Sequence, residues 1–205
     1  MKKLILFTLL FFTALSSFAT ERELSLTLTS NYVFRGVTQT ADKAAVQANY
    51  QLSQNKDSGF YAGFFASNVS AGAEVDVFGG LKFKFGNSAL EMDIGAIEYL
   101  YTDNKFKDFY HELYAGLQYE KSYIKYYFGE KEARYLDIGT GFTVLGSLDL
   151  LLHFGEVFNS TDNGNDFSIS LQKEFSSVVL GATATYEDKT VDKKSKLFAF
   201  IKKSF

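Results

Sequence analysis

The sequence predicts an all-β fold, an antiparallel up-and-down transmembrane β-barrel of 12 strands, with 10 as the alternative. Three observations lead there. Apolar and polar residues alternate with a period of two along most of the chain, which sends them to opposite faces of strands. After Ala19 no apolar run approaches the ~20 residues of a spanning helix. The composition, 22 Phe, 13 Tyr and 16 Gly with no Pro in 205 residues, favours strands.

Composition also removes function classes. With no Cys there is no disulfide framework, no thiolate metal site, no thiol nucleophile and no lipid-acylated N-terminal cysteine. A 46% hydrophobic and 22% charged content excludes gross disorder. Near-zero mean hydropathy argues against a helical membrane bundle. The balance of 24 acidic against 21 basic side chains argues against nucleic acid as a partner.

The first segment reads as an export signal. Lys2 and Lys3 open it, Leu4 to Leu15 is apolar apart from two Thr, and Ser17-Phe18-Ala19 supplies a small-residue cleavage site after Ala19. Residues 1–19 are therefore expected to be a signal peptide and 20–205 the barrel.

The strands follow from alternation. Leu24, Leu26, Leu28, Tyr32 and Phe34 share one parity, and Glu23, Ser25, Thr27, Thr29, Asn31 and Arg35 the other, which predicts a strand over 23–35. The same test places strands at 43–53, 59–69, 74–85, 89–101, 109–119, 123–129, 133–144, 148–158, 166–174, 178–187 and 195–205. Most reach the ~9–11 residues with which a tilted strand crosses a bilayer. The strand at 59–69 is ambiguous, because Phe60 and Phe64 sit on one face and Tyr61 and Phe65 on the other. Connectors at 54–58, 86–88, 120–122, 145–147 and 175–177 read as tight turns. Those at 36–42, 70–73, 102–108, 130–132, 159–165 and 188–194 read as the loops of the opposite rim, several of them longer. Short periplasmic turns and longer outer loops are the pattern of an outer-membrane barrel with both termini in the periplasm. A secreted β-sandwich would alternate too. Aromatic residues near strand ends and the terminal Lys203-Ser204-Phe205 favour the barrel, with Phe205 as its assembly signal.

A family resemblance adds to this. Ser30-Asn31-Tyr32-Val33-Phe34-Arg35-Gly36-Val37-Thr38-Gln39-Thr40 resembles the opening motif of a bacterial family named Gcw_chp, or TorF-family porins. Gly59-Phe60-Tyr61-Ala62-Gly63 with Ala66-Ser67-Asn68-Val69 is similar to its second block, and Glu74-Val75-Asp76 with Gly79-Gly80 to its third. The resemblance implies an outer-membrane barrel with a transport role and no defined substrate. It singles out Tyr32, Phe34, Arg35, Gly36, Gln39, Gly59, Tyr61, Gly63, Ser67 and Asn68 as motif positions.

The polar parity nominates the candidate site. It carries Glu23, Glu74, Asp76, Glu91, Asp93, Glu112, Asp137, Asp149, Asp166 and Glu187 against Arg35, Lys82, Lys84 and Lys125, an acidic interior of ten against four. A negative lumen concentrates cations. Arg35, Glu74, Asp76, Lys82, Glu91 and Asp93 are the selectivity candidates. Arg35 reads either as a constriction charge facing Glu74, Asp76 or Glu91, or as a structural ion pair that holds a loop. His111 falls on the apolar parity and His153 on the polar one. No Gly-x-Ser-x-Gly elbow accompanies them, and no metal-ligand spacing occurs. Lys193, Lys194 and Lys196 are expected at the outer rim, where bases meet anionic lipopolysaccharide, and Lys202 and Lys203 at the periplasmic one.

The expected function is passive or weakly selective passage of small solutes through a narrow acidic lumen. The expected partners are outer-membrane lipids and, through the C-terminal strand, the barrel-assembly machinery. No cofactor is expected. The alternatives are a barrel enzyme acting on lipids and a non-conducting structural or adhesive barrel.

Overall fold

The structure, a computed structural model, describes residues 21–55, 58–102, 109–130, 133–158, 163–189 and 193–205. The expected signal peptide lies outside them. Among the described residues fourteen strands form: β1 (Glu21–Thr29), β2 (Val33–Phe34), β3 (Val37–Thr38), β4 (Ala45–Ser53), β5 (Gly59–Val69), β6 (Gly72–Lys84), β7 (Leu90–Tyr101), β8 (Phe109–Tyr119), β9 (Ser122–Gly129), β10 (Arg134–Val144), β11 (Leu148–Phe158), β12 (Gly164–Phe175), β13 (Val178–Lys189) and β14 (Lys193–Ser204). Twelve of them make one closed barrel in which β1 pairs with both β4 and β14. Each sequential neighbour is antiparallel, as in Glu91↔Gln118 and Asp166↔Glu187. Closure pairs each of the twelve barrel strands on both sides and leaves the barrel no edge. It rests on Ser25↔Ser204 through Thr29↔Phe200, with Phe205 N donating to Leu24 O at 3.0 Å. Both ends of the described barrel share a rim with the tight turns, since Glu21 lies opposite Ser53 and Ser204 N donates to Ser177 O at 2.9 Å.

Burial is inverted relative to a protein folded in water. Leu28, Val46, Leu113 and Leu197 point outward and are 52%, 63%, 60% and 78% exposed, while Glu74, Asp166 and Glu187 point inward and are 1%, 4% and 5% exposed. A soluble domain hides its aliphatic parity and wets its carboxylates. The ambiguous strand resolves the same way: in β5, Phe60 and Phe64 face out and Tyr61 is buried in the interior.

Glycines on the inner parity make room for inner aromatic rings. Tyr61 lies directly across from Gly80, Tyr114 from Gly95, Tyr123 from Gly139, Phe78 from Gly63 and Phe200 from Gly181. At each of these glycines a Cβ would collide with the facing ring. The rings therefore lie flat along the wall and fill the lumen sideways. Tyr135 covers Gly155 from two register pairs away.

The first expected strand is corrected by the structure. β1 stops at Thr29 instead of running to Arg35, and the chain then turns into the barrel. Tyr32 and Phe34, assigned by parity to the outer face, sit in the interior. Of the expected rim loop 36–42 only the later part is at that rim, where Ala41 and Asp42 are exposed and Gln39 O accepts from Ser70 N at 2.8 Å. Gly36 to Thr38 belong to the inserted segment. Asn31 makes the turn. Thr29 Oγ1 donates to Asn31 O at 2.8 Å, and the Asn31 Oδ1 accepts from Thr38 Oγ1 at 2.6 Å and Thr40 Oγ1 at 3.2 Å. Its Nδ2 donates to Asp42 Oδ1 at 2.8 Å. These side-chain bonds replace the barrel ladder that the segment gives up.

Candidate functional site

The inserted segment is a two-residue hairpin. β2 pairs with β3 through Val33↔Thr38 and Phe34↔Val37. Arg35 and Gly36 occupy its turn with φ of 47° and 80°, the both-positive geometry of a type I′ turn. Gly36 is needed twice over. Its φ favours glycine, and a Cβ there would come within 2.8 Å of Glu187 Cβ and 2.9 Å of Asp166 Cβ on the opposite wall. The tip thus spans the lumen from β1 to β12 and β13. Lys196 Nζ, from β14, fastens it by donating to Gly36 O at 2.8 Å and to Glu187 Oε1 at 3.0 Å.

Arg35 meets neither Glu74, Asp76 nor Glu91. Its Nη1 and Nη2 donate to Glu112 Oε1 and Oε2 on β8, both at 2.7 Å, in a bidentate fork. Tyr99 donates to the same Oε2 at 2.9 Å. The guanidinium lies 4.1 Å from the ring centre of Tyr135, 4.8 Å from Phe34 and 4.9 Å from Tyr127. Burial alone would lower the Arg35 pKa; the hydrogen bonds and charge of Glu112 outweigh it and hold the group above its ordinary value.

Most other inner charges are paired as well. Lys125 Nζ donates to Asp93 Oδ2 at 2.8 Å, and Tyr61 donates to Asp93 Oδ1 at 2.6 Å and touches the Tyr114 hydroxyl. Lys82 sits opposite Asp93 with its Nζ 5.4 Å from the Tyr61 ring, and Glu91 sits opposite Lys84. Lys121 bridges to Asp149 at 2.8 Å. His153 stands in the interior between Asp137 at 3.1 Å and Asp166 at 3.4 Å, with Tyr135 Oη at 3.3 Å from its Nε2. His111 is on the outward parity and reaches Glu130 at 2.9 Å.

Asp137 and Glu187 each keep one buried oxygen without a hydrogen-bond partner among the described residues but are ion-paired to His153 and Lys196, whereas Glu74 and Asp76 have no ion pair among them. Tyr101 donates to Glu74 Oε1 at 2.5 Å, yet Glu74 Oε2 and Asp76 Oδ1 are buried with no hydrogen-bond partner among the described residues. They lie two residues apart on the inner face of β6, against Tyr32 of the hairpin. Two cavities flank the hairpin. One, of about 380 Å³, lies between it and β1, β5 and β14, and is lined by Tyr32, Phe34, Phe65, Asp76, Phe198 and Phe200 among others. The other, of about 370 Å³, runs from Asp76 past Arg35 to His153.

The second motif block serves the wall. Tyr61 and Gly63 belong to the ring-over-glycine pairs, Gly59 has φ 96° beside the Gln54 turn, and Ser67 is buried. Asn68 bonds the backbone of the returning chain, accepting from Val46 N at 2.8 Å and donating to Ala44 O at 3.1 Å. Gln39 continues the hairpin, its N donating to Tyr32 O at 2.7 Å. Phe205 is 67% exposed at the rim.

Two site features escape the sequence reading. Lys196, expected at the rim, is an inward side chain only 7% exposed. Glu112 counts there only as one of ten inner acids, although it anchors Arg35 from 77 positions away. Parity could have found Lys196, since it alternates with Leu197, Ala199 and Ile201; nothing local marks Glu112.

The fold is similar to that of the KdgM porin, with a TM-score of 0.66, 8% identity, and 89% of this chain and 99% of that one covered. The NanC porin aligns at 0.59 and 10% identity over 90% and 99% of the two chains. The COG4313 outer membrane channel from Pseudomonas putida F1 aligns at 0.53 and 10% identity over 92% and 98%. At these identities the likeness is one of fold. No match is found among curated proteins. The family model for Gcw_chp, described as a bacterial protein of unknown function, matches residues 14–204. Those residues take in all 12 barrel strands and the inserted hairpin, and the chain belongs to the Gcw_chp family.

Proposed function

We propose that this chain is an outer-membrane channel that passes small solutes through a narrow, acidic lumen constricted by its own hairpin. The observation that carries the proposal is the inverted burial. An outward surface of exposed Leu, Ile, Val and Phe around an interior of Glu, Asp, Lys and Tyr suits hydrocarbon outside and water or solute inside. The fold shared with known porins supports it. A barrel of this size is narrower than a 16-stranded porin, and the hairpin narrows it further. Small ions and solutes of a few heavy atoms fit the two cavities better than oligomers do.

Of the buried carboxylates Glu74, Asp76, Asp166 and Glu187, the first two have no cationic partner among the described residues, so a cation preference rests chiefly on them. Glu91, Asp93 and Lys82 contribute less, being balanced by neighbours. The same reading puts the tight-turn rim in the periplasm, residues 1–19 as the removed export signal, and Phe205 as the contact for assembly. Because the hairpin occupies the lumen, a non-conducting barrel is the second reading.

Single-channel recording of refolded protein in planar bilayers under a KCl gradient decides between them. The proposal expects discrete conductance steps and a reversal potential on the cation side. A barrel that inserts fully and passes no current supports the second reading.

A further inference from the structure

We infer that the cavity between the hairpin and β14 is a binding site for a small organic ammonium ion, an amine with an apolar or aromatic body. The inference deepens the channel reading and names the class of solute for it.

Its walls are largely aromatic, with Thr27, Thr29, Asn31 and Gln47 adding neutral polar groups. Tyr32 and Phe34 come from the hairpin, Phe65 from β5, and Phe198 and Phe200 from β14. Among the described residues Asp76 is the one charged residue that lines it, with no Lys, Arg or His. Asp76 is 92% buried, being 8% exposed, and its Oδ1 has no hydrogen-bond partner among the described residues. Glu74, 1% exposed, stands behind it with a second partnerless oxygen. A buried carboxylate oxygen left bare is costly, which is a standing reason for a donor to arrive.

The chemistry selects the arriving group. An ammonium donates to the carboxylate and is also attracted to ring faces, as aromatic cages hold cationic amines. A bare alkali or alkaline-earth ion needs about six oxygen ligands, and no cluster of three or more His, Asp or Glu able to hold a metal occurs among the described residues. An anion would meet Asp76 with no base beside it. The volume of about 380 Å³ admits a single small molecule. The other cavity is less suited, because the Arg35 guanidinium lines it together with Asp76.

The lumen position separates this site from ordinary surface amine binding. The hairpin supplies part of the wall, so a bound amine would stand in the conduction path.

The test uses the refolded barrel in detergent and 2-phenylethylammonium as probe, titrated by calorimetry against its neutral isostere 2-phenylethanol and against phenylacetate. The expected result is one saturable site for the ammonium, binding at least tenfold tighter than either analogue. Asp76→Asn should weaken the ammonium at least tenfold and leave the alcohol unchanged. Equal binding of ammonium and alcohol overturns the inference, as does equal ammonium binding in D76N, or no binding at all. Should D76N fail to fold, the three-ligand comparison on the unmodified protein still decides. Rubidium chloride is the competing arm: displacement of the amine at equimolar Rb⁺ would mean that the site takes inorganic cations, and would also overturn the inference. Binding in detergent does not require conductance. A barrel that conducts but binds no ammonium sinks this inference alone, and one that binds it without conducting sinks the channel reading alone.

Discussion

Replacing Arg35 with alanine removes the group that seats the hairpin tip. The side chains of Arg35 and Glu112 are 18% and 12% exposed, and the fork between them has two bonds of 2.7 Å. Breaking a fully buried pair from one side costs ~3–5 kcal/mol, because the remaining charge is stranded. Partial exposure here lowers that to ~2–3 kcal/mol, even with the lost ring contacts counted. The cost falls on docking of residues 31–42, since the barrel ladder does not pass through them. At about 1.4 kcal/mol per decade, the undocked population rises about 30- to 150-fold. The native chain has no cysteine, so a single Val37→Cys reports undocking through its rate of modification by a water-soluble thiol reagent. When reclosing is fast, that rate follows the open population. R35A should raise it by the factor above. E112A should do about the same, and the double variant less than the product of the two, as coupled partners do. Equal rates with and without Arg35 would refute the claim that this ion pair holds the plug.

Other expectations concern the wall, the lipid face and selectivity. Gly139→Ala should destabilise the barrel by ~1–3 kcal/mol in urea titrations, because the atoms nearest to a Cβ there all belong to the Tyr123 side chain; in a Tyr123→Ser background it should add little. Leu113→Arg, at an outward site 60% exposed, should cost ~2–4 kcal/mol for folding into vesicles and less for folding into a short-chain detergent. Asn31→Ala removes the acceptor of Thr38 and Thr40 and the donor to Asp42, and should speed V37C modification by about tenfold, from ~1–2 kcal/mol of lost hydrogen bonding. Asp76→Asn with Glu91→Gln should move the reversal potential under a salt gradient toward the anion side; an unchanged value would contradict the cation preference.

The alternating pattern made the barrel legible because lipid and lumen impose opposite demands on successive residues. It misled at 30–35 for the same reason. Tyr32 and Phe34 keep the parity of Leu24, Leu26 and Leu28 after the chain has left the wall, so parity alone cannot register the departure. The signal for departure is Asn31 with Thr29, Thr38 and Thr40, a set of polar side chains that satisfies a turn only once the hairpin is formed. Gly36 was readable as a kink, but the wall it approaches lies 130 and 151 positions away, at Asp166 and Glu187. The ring-over-glycine pairs require the register before they can be seen. Tyr61 and Gly80 look unrelated until β5 and β6 are aligned. Charge type was easier than charge partner: the inward parity of Glu74, Asp76, Asp166 and Glu187 is legible from alternation, whereas Arg35 with Glu112 and Lys196 with Gly36 are long-range closures.

The central claim is that each outward side chain meets hydrocarbon and each inward one a polar interior. Nitroxide labels placed singly at Asp166 to Leu171 along β12, in protein reconstituted into lipid vesicles, test it most directly through collision with oxygen and with a water-soluble nickel chelate. Labels at Phe167, Ile169 and Leu171 should collide with oxygen, and those at Ser168 and Ser170 with the chelate, in strict alternation. Shielding of the Phe167, Ile169 and Leu171 labels from both reagents would instead mean an oily core closed to lipid, and would contradict the account.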